Sequence, residues 1–216
     1  MQQSPRLWRY RMDRAKAKTL RLWTLQPVQV WLSLQQSGSL FVDPALRKLD
    51  PEYQEAYAWM RGQMGRRIPA YQGHDPWWAY DYPPDLRHYR YRAGEPGSQQ
   101  VRLALSVPRE RVLLSAYGDW HHVLSGDYLP PSQNPDKRLQ ESEAWERQFE
   151  ALITAGEAPR ITETSRTLLE ESWERIFDVE ELRNTNTIQA TFERLDLLDV
   201  VSVTEFTVAA TKLRRW

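Results

Sequence analysis

The sequence predicts an α+β fold, a single domain of small, mostly antiparallel sheets with packed helices and a long aromatic and proline-rich loop. Three observations predict it. Apolar residues alternate with period two at Val101–Val107 and Ile188–Phe192 and give way to a β-rich run at Val200–Val208, whereas around Trp31, Tyr57 and Leu169 they recur at helical spacing. The stretch from Ile68 to Gly97 is dense in proline and aromatic residues and shows neither period. A chain of 216 residues is long enough to bury roughly 70% of its unfolded surface in one core.

In chain order, residues 1–19 read as a basic arm, with Arg6, Arg9, Arg11, Arg14, Lys16 and Lys18 against Asp13. With Trp8 and Tyr10 interleaved, the arm could hold nucleic acid by phosphate contact and base stacking; more often such a leader is a solvated or fraying terminus, and Met12 offers an alternative start. The domain proper, 20–216, opens with a strand over Leu20–Leu25, closed by Gln26-Pro27 where a helix can begin. Val28, Trp31, Leu32 and Leu34 fit one helical face, with Gly38 as its cap. Tyr53, Tyr57, Met60 and Met64 mark a second helix over Pro51–Gly65. The proline-rich stretch, with Tyr71, Trp77, Trp78, Tyr80 and Tyr89, is expected to run as extended or turn segments laid over the domain. Val101, Leu103, Leu105 and Val107 form one side of a half-buried strand ended by Pro108. Val112–Leu114 is a short apolar run, and Tyr117-Gly118-Asp119 reads as a turn before Trp120–Leu124. A linker near 130 leads to a polar helix around Glu141–Leu152, and another helix covers Ser165–Ile176. Two strands close the chain.

Zero cysteines exclude a disulfide framework, a thiolate metal site and a cysteine nucleophile. With no apolar run near the roughly 20 residues that cross a bilayer and no signal-peptide stretch, the expectation is a cytoplasmic protein with no membrane partner. The formal charge is zero, yet residues 1–120 hold 18 of the 29 basic and 11 of the 29 acidic residues. That asymmetry would steer a polyanion to one face, or be satisfied within the fold. Ten tryptophans suit cores, stacking surfaces and interfaces alike.

Standard site signatures are missing: no glycine-rich phosphate loop, no paired-histidine metal helix, no nucleophile elbow. His121 and His122 are adjacent and so point apart, poor geometry for one metal. Each is a candidate general acid or base, because imidazole titrates near neutrality, and for His121 a structural role competes. Glu193 follows the Ile188–Phe192 strand and is a candidate catalytic carboxylate or a salt-bridged edge residue.

The segments Leu22-Trp23-Thr24-Leu25-Gln26-Pro27, Ala56-Tyr57-Ala58-Trp59-Met60, Pro76-Trp77-Trp78-Ala79-Tyr80, Pro84-Asp85-Leu86-Arg87, Val112-Leu113-Leu114-Ser115, Trp120-His121, Ser172-Trp173-Glu174-Arg175-Ile176-Phe177 and Ile188-Gln189-Ala190-Thr191-Phe192 occur in that order. Together, over about Leu20–Val208, they resemble a bacterial family catalogued as domain of unknown function 3841. The chain departs from the family's pattern in Ala116-Tyr117-Gly118-Asp119 before Trp-His and in Glu193 directly after Phe192. A looser likeness of organisation is to compact ADP-ribosyltransferase-like domains, which hold NAD in a cleft between two small sheets. That likeness implies NAD as ligand, Trp23 with Thr24 and Arg21 on the first strand, and Gln189 where those enzymes carry a late-strand Glu, so that catalysis would be impaired. A nucleotide-binding reading built on such a cleft has Trp23, Trp78 or Trp120 stacking a base or nicotinamide, Arg87 on phosphate, and His121 with Gln189 on the ribose or the scissile region, because these residue types are spread over segments that strands could bring together.

Two other readings stay open. A non-enzymatic module would bind nucleic acid or a protein partner through the basic first half and exposed aromatics. Alternatively Trp23, Trp59, Trp120 and Trp173 are core anchors.

Overall fold

The computed structural model describes residues 18–43, 49–86, 94–153, 163–182 and 187–208. Among them the strands are β1 (Thr19–Pro27), β2 (Ser39–Phe41), β3 (Trp77–Tyr80), β4 (Gln99–Pro108), β5 (Leu113–Ala116), β6 (Ile188–Phe192), β7 (Arg194–Asp196) and β8 (Val200–Thr207). The longer helices are α1 (Val28–Ser37), α2 (Gln54–Arg67), α3 (Tyr117–Ser125), α4 (Pro135–Ile153) and α5 (Glu163–Trp173). An antiparallel six-stranded sheet runs in the order β5-β6-β3-β1-β4-β8, and β2 pairs with β7 in a two-stranded one. The architecture is α+β, as the two coexisting periods predict. No helix among the described residues is long and apolar enough to cross a membrane.

The described residues divide into two compact units. The first takes in 18–43, 61–86, 94–113 and 189–208, and the second 49–60, 114–153, 163–182 and 187–188.

In the first unit, β1 and β4 pair along their whole length, from Thr19 opposite Pro108 to Pro27 opposite Gln100. Strict alternation buries Leu20 and Leu22 on β1 and Val101, Leu103, Leu105 and Val107 on β4, all on one face because directly opposed residues share a side. Phe192, Leu34 and Met64 are fully buried in the same unit. Helix α1 ends as its sequence predicts: Gly38 adopts φ 77°, and its N–H reaches the Leu34 carbonyl at 2.9 Å.

One expectation needs correction here. Residues 77–80 do not lie over the domain but form β3, an inner strand between β1 and β6. Pro76 stands before the strand and Pro83-Pro84 after it, so the four residues between keep their N–H donors for the ladder, and aromatic residues suit a pleated surface.

The second unit is built on tryptophan. Trp59 meets Trp173 edge-on at 5.5 Å and stacks with Phe177 at 5.8 Å, while Tyr57 meets Trp120 edge-on at 5.7 Å. Trp59, Trp120 and Trp173 are all buried, so for these three the anchor reading describes what they do. The expected turn at Tyr117-Gly118-Asp119 is instead the first turn of α3, where the acidic Asp119 complements the helix dipole. Helix α4 starts earlier than the expected Glu141, at Pro135. The Asn134 Oδ1 accepts from the N–H groups of Asp136 at 3.0 Å and Lys137 at 3.2 Å, and Pro135 occupies the first helical position.

Candidate functional site

The first unit brings several of the singled-out residues onto one sheet face by register. Trp23 on β1 lies opposite Tyr80 on β3, and Tyr80 lies opposite Gln189 on β6. On the other side Trp23 faces Ala104 of β4. Residues two apart on a strand point the same way, so Arg21, Trp78 and Arg102 belong to this face as well. The Arg21 guanidinium carbon sits 6.0 Å from the centre of the Trp23 ring, within reach of a cation–π contact. Arg102 is anchored through Nη1 to the Pro84 carbonyl at 3.0 Å and through Nη2 to the Thr204 hydroxyl at 3.4 Å. The face is open at one side and closed at the other. Arg21 is exposed and Trp23 half-buried, while Gln189 is 4% exposed and Thr191 fully buried.

Thr24 belongs to the opposite, core-facing side. Its hydroxyl donates to the Trp78 carbonyl at 2.8 Å and accepts from Gln26 Nε2 at 2.7 Å, which ties β1 to β3 across 54 residues of sequence. Glu193 is also engaged structurally. Its buried carboxylate accepts from the backbone N–H of Gln72 at 2.9 Å on both oxygens and from that of His74 at 2.8 Å, holding the 71–75 loop. Beside it, the Tyr71 hydroxyl donates to the His74 carbonyl at 2.7 Å. Burial and then the Glu193 charge push the Tyr71 phenol up to about 12. Glu193 also lines a hollow of about 100 Å³ with Phe41, Ile68, Gln72 and Arg111. Arg111 is paired there with Asp196 at 2.8 Å and Asp199 at 2.9 Å. Four residues of strand rise put Glu193 roughly 13 Å along the chain from Gln189, so the two do not act on one atom.

Trp120 and His121 stand on α3 of the second unit. Trp120 is 4% exposed, turned into the tryptophan core. His121 is exposed, and its Nδ1 donates to the Tyr117 carbonyl at 2.9 Å, with the two rings edge to face at 4.8 Å. Arg87 and residues 1–17 of the basic arm lie outside the described residues.

A cavity of about 330 Å³ in the second unit brings His122 together with residues that reasoning from sequence passed over: Asp127, Tyr128, Ser142, Trp145 and Glu146. Gly126 makes it possible. Its φ of 70° ends α3, its N–H returns to the carbonyls of His122 and Val123, and the chain reverses to present Asp127 and Tyr128. Tyr128 stacks on Trp145 at 4.6 Å with planes 8° apart. The available signal was Trp145 itself, an aromatic residue midway along a helix of mostly charged and polar residues.

Residues 21–200 match the model of a protein family described as domain of unknown function (DUF3841). No curated protein and no solved structure matches the chain.

Proposed function

The chain belongs to the DUF3841 family, and we propose that it binds a nucleotide of the NAD class on the face of the first unit's sheet that carries Arg21, Trp23, Trp78, Tyr80 and Gln189. The observation that carries this reading is the cross-strand row Trp23, Tyr80 and Gln189, flanked by Arg21. An indole ring offers a stacking surface for a base or nicotinamide, and a guanidinium offers paired donors to a phosphate. A late-strand carboxamide bonds a ribose hydroxyl but supplies no negative charge to an oxocarbenium-like transition state. The reading is therefore binding, with glycosidic cleavage of NAD impaired.

Calorimetric titration with NAD tests it directly. Saturable binding is expected, weakened by about tenfold in Trp23→Ala, since stacking on an aromatic ring contributes ~1–3 kcal/mol per base. Arg21→Ala is expected to weaken binding to NAD more than to nicotinamide riboside, which lacks the pyrophosphate a guanidinium would contact. Absence of heat at millimolar NAD overturns the reading, as does binding that neither substitution changes. Release of nicotinamide at a rate abolished by Gln189→Ala would instead make the chain an enzyme.

A second reading, a single-stranded nucleic acid on the same face, is favoured by one observation: a strand presenting an exposed Arg21 beside a half-buried Trp23. Its mark is affinity that falls steeply with salt and that weakens when residues 1–19 are deleted, a deletion to which NAD binding is indifferent.

A further inference from the structure

The cavity of the second unit has chemistry unlike that of the sheet face, and we infer that it is a binding site for a small organic cation, a protonated amine. Its walls come from three places in the sequence: the reversal after α3, the middle of α4 and the first turns of α5. At about 330 Å³ it is within the size range of small-molecule sites.

Four features select the ligand. The stacked Tyr128 and Trp145 rings give an aromatic wall, whose π-face attracts a cation. Asp127 and Glu146 line the same hollow, and among the described residues neither carboxylate has an ion-pair partner. The nearby cations are already committed. Arg138 bonds the Asp119 carboxylate at 3.1 Å and stands 3.4 Å from His122 Nε2. Arg175 donates to the carbonyls of Leu129 and Ser172 at 2.7 and 3.1 Å, its guanidinium 6.0 Å from the Tyr128 ring. The Ser142 hydroxyl adds an acceptor for an ammonium N–H, and the buried Leu169 gives an apolar patch for a short hydrocarbon stem. Carboxylates and aromatic faces converging with no Lys or Arg among the described residues that line the hollow disfavour phosphate and favour ammonium.

The wall is rigid for identifiable reasons. Asp127 is held through its backbone, its N–H on the His122 carbonyl at 2.8 Å and its carbonyl accepting from Trp173 Nε1 at 2.7 Å. The adjoining chain is fixed by Leu129, whose N–H reaches the Ser172 hydroxyl at 3.0 Å. The side chain of Asp127 is thereby presented without being used to hold the fold.

Calorimetric titration of the full chain with putrescine and with tetramethylammonium, against acetate as the anionic control, is the test. Putrescine is expected to bind saturably and acetate to give no saturable heat. Asp127→Asn and Glu146→Gln keep shape and remove charge, and each is expected to weaken putrescine by about tenfold, the size of one lost charge-assisted hydrogen bond. Trp145→Leu is expected to weaken tetramethylammonium more than either carboxamide does, because a quaternary cation bonds no hydrogen and depends on the ring. No heat with either amine at millimolar concentration overturns the inference, as does equal affinity in the carboxamide variants when circular dichroism shows them folded. Because these residues all lie outside the sheet face, NAD binding unchanged in the same variants separates this site from the nucleotide reading.

Discussion

The sheet face of the first unit and the cavity of the second use polar residues in opposite ways. Around the sheet, the acid and hydroxyl that sequence reasoning singled out are engaged in holding backbone. Glu193 accepts from two loop N–H groups, and Thr24 bonds a neighbouring strand. In the cavity, Asp127 and Glu146 line open space and tie nothing together. A polar side chain that satisfies the fold is restrained by it, and removing it costs stability; one that satisfies nothing is available to a ligand, and removing it costs binding. The comparison therefore turns on stability measurements as much as on titrations.

The largest expected effect sets the scale for the first unit. Phe192 is fully buried at the end of β6, opposite Trp77 of β3. Phe192→Ala is expected to lower unfolding free energy by about 3–5 kcal/mol, from lost transfer energy and the void left behind. Chemical denaturation followed by circular dichroism measures it, and a loss below 1 kcal/mol would mean the site collapses around the smaller side chain. Next comes the direct test of the comparison. Glu193→Gln replaces one carboxylate oxygen with an NH₂ facing backbone N–H donors, so a loss of about 1–3 kcal/mol is expected. A neutral result would return Glu193 to the pool of groups available for chemistry.

How much of this could be read beforehand depended on whether the signal was local. The β1–β4 pair and the Gly38 stop of α1 were legible because alternation and a left-handed glycine act within a few residues. The family was legible too, from ordered segments spread over residues 21–200. β3 was not, since whether prolines interrupt a strand or bracket it depends on which neighbour offers a ladder. The sheet row was half visible: Trp23 and Gln189 stood out through the looser likeness of organisation, but Tyr80 between them is placed by register alone. The cavity was invisible for the same reason. Asp127 and Glu146 look like solvated charges until Gly126 turns one toward the helix that carries the other.

Tyr71 sharpens the comparison with a pH axis. Its hydroxyl is held on the His74 carbonyl beside Glu193, and its ionisation is pushed from the usual value near 10 up to about 12. A raised folded-state value means that the unfolded chain loses this proton first. The contribution is therefore complete below pH 10 and declines as pH rises through the interval from 10 to about 12. Tyr71→Phe is expected to cost about 1 kcal/mol at neutral pH through the lost hydrogen bond, and to flatten the alkaline fall in stability. Tyrosinate absorbance should show one fewer late-titrating phenol; an unchanged alkaline limb would mean that other tyrosines dominate it.

The smallest expected effect discriminates most between the two regions. Glu146 is exposed on α4 and engaged with no described residue, so Glu146→Gln should change stability by no more than about 0.5 kcal/mol, the ordinary range for a surface substitution. The same conversion of carboxylate to carboxamide is made at Glu193, which makes the two variants a matched pair differing only in what surrounds the group. A near-zero cost at 146 with a clear cost at 193 means that the fold needs one acid and not the other. Should Glu146→Gln prove as damaging, the cavity would be part of the folding machinery rather than a surface kept open, since a group that stabilises its own unit is already occupied by that unit. A gain in stability points the other way: two like charges facing one hollow repel until a cation enters, and relieving that repulsion in the empty protein is what a ligand of opposite charge would also do.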